Sequence, residues 1–341
     1  MRIVLIGANG NFGLKRLKAM QRSADHVTAI CDLKFERALQ VCSHEGVVLE
    51  TDYHRLLDQD FEVAVVSLPD HVKLPVVADF LAAGKHVIVE KPLAMRVSDV
   101  QRLFALARER GVSLYVGYNM RFFPSVAKLL ELTRERFFGP IHHVRLFYGH
   151  GGVHSLVDAQ KWQLTASSWG GAFVDMGSHL LSILSYLIPP IDSGILERQH
   201  IVSAGVEDHG VAQLKADGCI AEVTGSWTSW RSRFAIEVYG SDGFAELDSL
   251  VKYIKYGQKG ERIRYGRANP AGVPDVIERV WGLSSSEGAN SEIIDSFTAD
   301  VECLDQEWQW LRANITNGTF DMAKEEQVNS FIADIYERFY R

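Results

Sequence analysis

The sequence predicts an α/β protein in which a doubly wound parallel sheet is followed by a second α/β domain with a large, mostly antiparallel open sheet. Three observations carry that prediction. From Arg2 to about Val116, short runs of Val, Ile and Leu alternate with helix-length amphipathic stretches, the pattern of βαβ units whose strands are covered on both faces. Two Asp-Gly steps, Asp217-Gly218 and Asp242-Gly243, each lie between β-rich runs, a strong hairpin signal. The chain has 341 residues, which suits about two domains at ~150 residues each.

The elements follow in order. A first strand, Ile3–Ile6, runs into a glycine turn spanning Gly7 to Gly13 and then a helix from Leu14 to Gln21. Strands at His26–Ile30, Glu62–Val66, His86–Val89 and Val112–Val116 continue the pattern. The helix Val72–Ala83 stops at Gly84, a residue suited to the position after a helix end, and the next strand begins at once. After Pro124 the character changes. A helix from Pro124 to Phe137 leads through Gly139-Pro140 to a strand at Ile141–Tyr148 and a glycine-rich loop, and a further helix follows Gly170-Gly171. Between His200 and about Lys255, Val211–Ala216 pairs with Cys219–Trp227 and Phe234–Tyr239 with Phe244–Leu247; consecutive hairpins predict a meander. The segment Gln258–Asn290, with Lys259, Arg262, Arg264, Arg267 and Arg279 among Gly, Pro and Ser, reads as a long basic loop. Ser291–Arg341 reads as helical, with Val328, Phe331, Ile332, Ile335 and Phe339 on one face.

Composition narrows the partners. At 47% hydrophobic and 23% charged, the chain is too apolar for a disordered polymer. Lys+Arg at 36 against Asp+Glu at 43 gives a net charge of -7, so no global basic field favours nucleic acid or an anionic membrane. Cys31, Cys42, Cys219 and Cys303 are isolated in sequence, with no pattern of a disulfide framework or zinc knuckle, and a reducing cytoplasm is expected. The apolar run at the N-terminus is too short for a signal peptide. No stretch approaches the roughly 18 apolar residues of a membrane span. None of His142, His143, His150 or His154 has an E-x-x-H or C-x-x-C companion, so no metal is expected.

Chemistry is suggested at two places. A glycine turn between first strand and first helix brings backbone N–H groups and the positive helix end to where a pyrophosphate can sit. Here the residues are Gly7, Asn9, Gly10, Asn11, Phe12 and Gly13. The spacing is G-x-x-G-x-x-G, and Asn9 takes the place of the usual middle glycine, since Asn tolerates the left-handed region. A turn that merely needs glycine fits the same residues. Asp32, after the second strand, lies close to the ~20 residues past the turn expected for an acid that hydrogen-bonds an adenosine ribose. An Asp there repels a 2′-phosphate and favours NAD(H) over NADP(H), a preference Lys34 would soften; a helix N-cap is the other reading of Asp32. Ligands in such sheets lie beyond the carboxyl ends of strands, which carry Ser67-Leu68-Pro69-Asp70 and Glu90-Lys91-Pro92.

The second place joins Lys91 to a later run. A lysine beside a nicotinamide can hydrogen-bond a substrate hydroxyl and stabilise the alkoxide that forms. A solvated strand-end ion pair explains Glu90-Lys91 as simply. On a helix, Asp175 and His179 stand at i, i+4 and share a face with Ser182 and Tyr186. An acid one turn from a histidine can orient the ring and stabilise its charged form, as a general base requires. A histidine satisfied by helix packing is the competing reading.

Together these pieces resemble the Gfo/Idh/MocA oxidoreductases, the glucose–fructose oxidoreductase and inositol dehydrogenase family. The resemblance runs over nearly the whole chain. It includes the glycine turn and Asp32, the segment from Ala82 to Ala94, Gly117 to Phe122, Trp162, and the run from Gly170 to His179. It implies a Rossmann domain over residues 1–120 and a substrate-binding and oligomerisation domain over 121–341, with C-terminal helices packing back on the first. It also implies NAD(H) and hydride transfer at one carbinol or keto carbon of a sugar, cyclitol or sugar derivative, in a homodimer or homotetramer formed through the open sheet. Carried over, Lys91 would polarise the substrate oxygen, His179 would shuttle the proton, and Asp175 would hold His179 or a neighbouring hydroxyl. Asn119, Arg121 and Trp162 would face nicotinamide and substrate, and Ser67, Leu68, Pro69, His71 and Glu90 the cofactor. Relatives also include non-catalytic NAD-sensing regulators and NAD-assisted glycosidases. Three positions depart from the family pattern: Lys73 where a histidine is common, Gln163 where an arginine usually follows the tryptophan, and Ser182 where an acid is frequent.

Overall fold

The structure is a computed structural model and describes residues 1–42, 46–158, 162–229, 232–253, 258–267, 275–281, 292–293 and 302–340. Along the first part run β1 (Arg2–Ile6), α1 (Asn11–Gln21), β2 (His26–Cys31), α2 (Glu36–Val41), β3 (Val48–Glu50), β4 (Val63–Val66), α3 (Lys73–Ala82), β5 (His86–Glu90), α4 (Val97–Arg110) and β6 (Leu114–Gly117). Then come α5 (Pro124–Arg134), β7 (Ile141–Gly149), α6 (Val153–Asp158), α7 (Ser178–Leu187), β8 (Ser193–Gln199), β9 (His209–Ala216), β10 (Cys219–Ser226), β11 (Arg233–Gly240) and β12 (Gly243–Tyr253). The chain closes with β13 (Gln258–Arg267), β14 (Asp275–Trp281), β15 (Glu292–Ile293), α8 (Glu302–Asn317) and α9 (Met322–Phe339).

Two compact units result, Met1–Asn119 with Val301–Glu337, and Met120–Asp300 with Arg338–Arg341. The first holds a 6-stranded sheet of order β3-β2-β1-β4-β5-β6, with every pairing parallel. The order reverses between β1 and β4, the crevice where such sheets bind ligands. Its strands read as continuous apolar runs because both faces are covered: Ile3, Val4, Leu5, Val63, Ala64, Val66 and Val89 are 0% exposed. The late helix α8 is tied to this unit through Asp25. That carboxylate accepts from the N-terminal ammonium, from Trp308 Nε1 at 3.0 Å and from Arg312 Nε at 2.9 Å. On α9, Asn329 Oδ1 accepts from the Tyr118 hydroxyl at 3.2 Å.

The second unit is built on a 9-stranded sheet of order β15-β14-β13-β12-β11-β7-β10-β9-β8. The two predicted hairpins form, with Cys219 opposite Ala216 and Phe244 opposite Tyr239. A simple meander does not. Strand β7 lies between β10 and β11, parallel to the first and antiparallel to the second, because one edge of β10 is occupied by β9 and its other edge pairs with β7. The reading of Gln258–Asn290 as one long loop is also corrected: β13 pairs with β12, and β14 with β13. Arg262 and Arg264 face Glu278 and Glu246 as ion pairs, so much of the basic character is cross-strand pairing. Residues 254–257, 268–274 and 282–290 lie outside the described residues. At the C-terminal end the helical reading holds from Glu302; Glu292–Ile293 is a strand, and residues 294–301 lie outside the described residues. Edge strands β3 and β8 carry no readable alternation of their own and were not expected from the sequence.

Candidate functional site

The glycine turn is shaped by close approach. Gly7 has φ 80, and a Cβ on it would overlap the carbonyl of Ser67. A Cβ on Gly13 would overlap Gly7 O and Ala8 Cα, so α1 can start tight against β1 only with glycine there. Helix α1 is N-capped by Gly10 with no side-chain cap, which leaves its first N–H groups and positive end to an anion. Asn9 does not do what was expected of it. Among the described residues the non-glycine positive φ values belong to Arg136 and Trp169, so Asn9 does not stand in for a left-handed glycine. Its Oδ1 instead accepts from the N–H groups of Arg37 (2.9 Å) and Ala38 (3.2 Å) at the start of α2, a capping task that glycine lacks the side chain to perform. The Arg37 guanidinium returns to Asn9 O at 3.1 Å and Asn11 Oδ1 at 2.9 Å. Phe12 packs beneath Lys15 and Arg16.

Asp32 ends the β2 region, half-buried. It accepts from Asn9 N at 2.8 Å and Lys34 N at 3.2 Å, while α2 is N-capped by Phe35. The helix-cap reading of Asp32 therefore gives way to a bridge between the glycine turn and the β2 end. Two further lone-pair directions on its oxygens can accept from a diol.

At the next strand ends, Ser67 Oγ and Asn119 Oδ1 are buried with no hydrogen-bond partner among the described residues. Asn119 Nδ2 donates to Cys303 Sγ at 3.4 Å, which fixes the amide and leaves its oxygen as the open acceptor. Orphaned buried polar atoms are rare in a closed core. With the uncapped α1 and Asp32 they fit a dinucleotide laid along this edge. Leu68 and Pro69 are half-buried, and His71 is exposed. Lys91 directly follows β5 and precedes a cis Lys91-Pro92 bond. Glu90 is not a free contact for a cofactor, since its carboxylate takes a 2.7 Å hydrogen bond from Arg16 Nε. Burial pushes the Glu90 carboxyl up, against the pull of Arg16.

In the second unit, Asp175 and His179 lie on adjoining stretches of different helix type. Phe173–Gly177 is a π-helical turn and α7 begins at Ser178, so the uniform i, i+4 geometry expected of an α-helix does not hold. The turn packs onto bare backbone: a Cβ on Gly225 would sit 2.9 Å from Ala172 O. The Asp175 carboxylate accepts from Trp227 Nε1 at 3.3 Å. His179 is 5% exposed and meets the Tyr148 ring edge-on at 6.1 Å. Ser182 Oγ donates to His179 O at 2.7 Å, so this hydroxyl is engaged by its own helix. Arg121, 9% exposed, donates to the Tyr186 hydroxyl at 3.0 Å. Trp162 is half-buried, and the carbonyl of its neighbour Gln163 accepts from Gly171 N at 3.1 Å.

Two further residues belong to this region, His150 from the loop expected to line the pocket and Glu207, which was not expected. His150 borders Tyr148 and feels the charge of Asp175; burial lowers its pKa, and Gly152 N donates to its Nδ1 at 3.0 Å, which places the proton of the neutral ring on Nε2. Glu207, 3% exposed, accepts from Phe173 N at 3.2 Å and the Tyr340 hydroxyl at 2.6 Å, seating the start of the π turn. No spacing in the sequence marks either one. His150 directly follows β7, whereas Glu207 comes from distant chain.

Residues 1–118 match the family model GFO_IDH_MocA, an oxidoreductase family with an NAD-binding Rossmann fold, and residues 126–246 match the GFO/IDH/MocA C-terminal domain. A trans-1,2-dihydrobenzene-1,2-diol dehydrogenase of Bos taurus is 28% identical over 239 residues, 68% of each chain. A levoglucosan dehydrogenase solved with NADH and levoglucosan superposes with a TM-score of 0.80 at 17% identity, over 98% of this chain and 95% of that one. A 3-ketoreductase from Actinomadura kijaniata, in complex with NADP and TDP-benzene, gives 0.76 at 20% identity, over 100% and 97%.

Proposed function

The chain belongs to the GFO/IDH/MocA oxidoreductase family, and from that premise we propose that it is an NAD(H)-dependent dehydrogenase or reductase acting on a carbinol or keto carbon of a sugar, cyclitol or related diol. The observation that carries the reading is the strand edge around Lys91. Strands β4, β5 and β6 are neighbours, and their carboxyl ends present the buried, unsatisfied Ser67 Oγ and Asn119 Oδ1 on either side of the lysine. A nicotinamide bound there supplies the acceptor or donor of hydride. Lys91 then polarises the substrate oxygen and stabilises negative charge on it. His179 moves the proton, with Asp175 steadied by Trp227 to orient it or a substrate hydroxyl, and Arg121 and Trp162 contact the substrate. Gly7, Asn9, Gly10, Asn11, Phe12 and Asp32 hold the nucleotide, joined by Ser67, Leu68, Pro69, His71 and Asn119, whereas the Glu90 carboxylate is engaged by Arg16. The Asp32 carboxylate favours NAD(H) over NADP(H), because a 2′-phosphate would meet it charge against charge.

The dihydrodiol and levoglucosan specificities of the relatives define a first substrate panel, extended by hexoses and cyclitols. Lys91→Ala is expected to bind NADH normally, by fluorescence titration, and to lose about 10²–10⁴-fold in kcat on whichever panel compound is turned over. Turnover at the native rate would refute the assignment. We also assign a homo-oligomer through the open sheet, supported by the exposed Ile195, Ile220 and Val276, which share one face of it, and a reducing cytoplasmic location; a monomer by analytical ultracentrifugation would refute the first.

A further inference from the structure

We propose that two buried cations grip Glu90 at its two ends and thereby position Lys91, an inference that rests on the catalytic reading of that lysine. One grip is on the side chain. Arg16, 3% exposed, donates from Nε to Glu90 Oε1 at 2.7 Å and is itself held by Glu307. The other is on the main chain. Lys73, 0% exposed, donates from Nζ to Glu90 O at 2.8 Å and to Asp70 Oδ1 at 2.7 Å.

The sheet explains why a grip is needed there. The β4–β5 ladder ends at Val66 opposite Val89, whereas the β5–β6 ladder runs on to Glu90 opposite Gly117. On the β4 side Glu90 has outrun its neighbour, because the chain has turned away into Ser67-Leu68-Pro69. A strand-end carbonyl without a ladder partner can rotate, and the peptide that follows it carries Lys91. Lys73 reaches from the first residue of α3 to fill the missing ladder bond with an ammonium, and charge-assisted bonds of this kind are short and directional. Arg16 removes the remaining freedom by tying the side chain of the same residue to α1. Lys73 is thus closed off from any ligand and works through Glu90. Arg16 and Lys73 are positioning residues.

Two paired variants release one grip each: Asp70→Asn with Lys73→Met, which leaves no buried charge unpaired, and Arg16→Gln with Glu307→Gln, which leaves only the Glu90 carboxyl without its cation. Wild type, both pairs and Lys91→Ala are compared by NADH titration, by steady-state kinetics on the compound the panel identifies, and by crystal structures with NADH. Each pair is expected to keep NADH affinity and KM within about threefold and to lower kcat about 10–100-fold, the scale of a ~1 Å misplacement, with Lys91 Nζ displaced or disordered in the crystals. A merely structural role would lower thermal stability and leave kcat and the Lys91 position unchanged. If Lys91→Ala is inactive while a folded pair retains native kcat and superposes at Lys91, the clamp is overturned and the catalytic reading survives. If Lys91→Ala is active, the catalytic reading itself fails. Either pair suffices should the other not fold.

Discussion

Replacing Arg16 by methionine removes the cation shared by two buried carboxylates of the first unit. The guanidinium lies between Glu90 and Glu307, whose side chains are 12% and 1% exposed, and its loss leaves Glu307 with the Tyr115 hydroxyl at 2.7 Å as its remaining hydrogen-bond donor. Breaking a buried pair by removing one partner costs about 3–5 kcal/mol, which at roughly 2–4 °C per kcal/mol lowers the melting temperature by about 6–20 °C. The loss is pH-dependent with a definite sign. Burial already raises the Glu90 carboxyl, and Arg16 opposes that rise; without Arg16 the folded protein binds protons that the unfolded chain has released. Stability is then fully present below the unfolded carboxylate pKa and falls as pH rises through the folded one. Calorimetry at pH 5 and pH 8 should show the larger deficit at pH 8. The triple variant Arg16→Met, Glu90→Gln, Glu307→Gln should recover most of it, because no charge is left unpaired. A deficit under ~1 kcal/mol, one independent of pH, or a triple variant no better than the single would each refute the reasoning.

Three further outcomes are expected. Gly13→Ala should cost about 1–3 kcal/mol through the overlap with Gly7 O and Ala8 Cα and weaken NADH binding at least tenfold in a fluorescence titration; native affinity would contradict the close approach. His150 has its pKa lowered by burial, so the folded state favours the neutral ring and stability is lost as pH falls below the ordinary ~6.5. His150→Gln should therefore narrow the melting-temperature gap between pH 7 and pH 5, and an unchanged gap would refute it. Arg136, exposed with φ 53, sits where a side chain costs ~1–2 kcal/mol. Arg136→Gly should raise the urea midpoint at constant m, worth about 0.5 kcal/mol once the added freedom of the unfolded chain is counted.

What the sequence made legible was local. The parallel strands of the first unit show as apolar runs because both faces are covered, and each Asp-Gly hairpin shows because its turn needs particular residues. The place of β7 was hidden, since its partners lie far along the chain and pairing across such distances leaves no periodicity. Strands β13 and β14 were masked by charge that satisfies itself across the sheet. At the candidate site, the glycine turn, Asp32 and Glu90-Lys91-Pro92 were visible as spacing, whereas the capping work of Asn9, the π turn under Asp175 and the approach of His150 and Glu207 depend on tertiary packing. Lys73 was visible only as a departure. Its burial gave that departure a physical meaning.

The central seat of β7 has a consequence for how the second sheet is assembled in time. The hairpins β9–β10 and β11–β12 need only short loop closures, which are microsecond events. Neither can join the other directly, because each docks on a different edge of β7, a strand synthesised before both. His143 alone must meet Ile220 on one side and Tyr239 on the other, contacts of long sequence separation and correspondingly slow formation. Until both edges are filled, β7 offers two open rows of backbone donors and acceptors, so the nascent second unit is most exposed to misassociation after β7 has emerged and before β12 has.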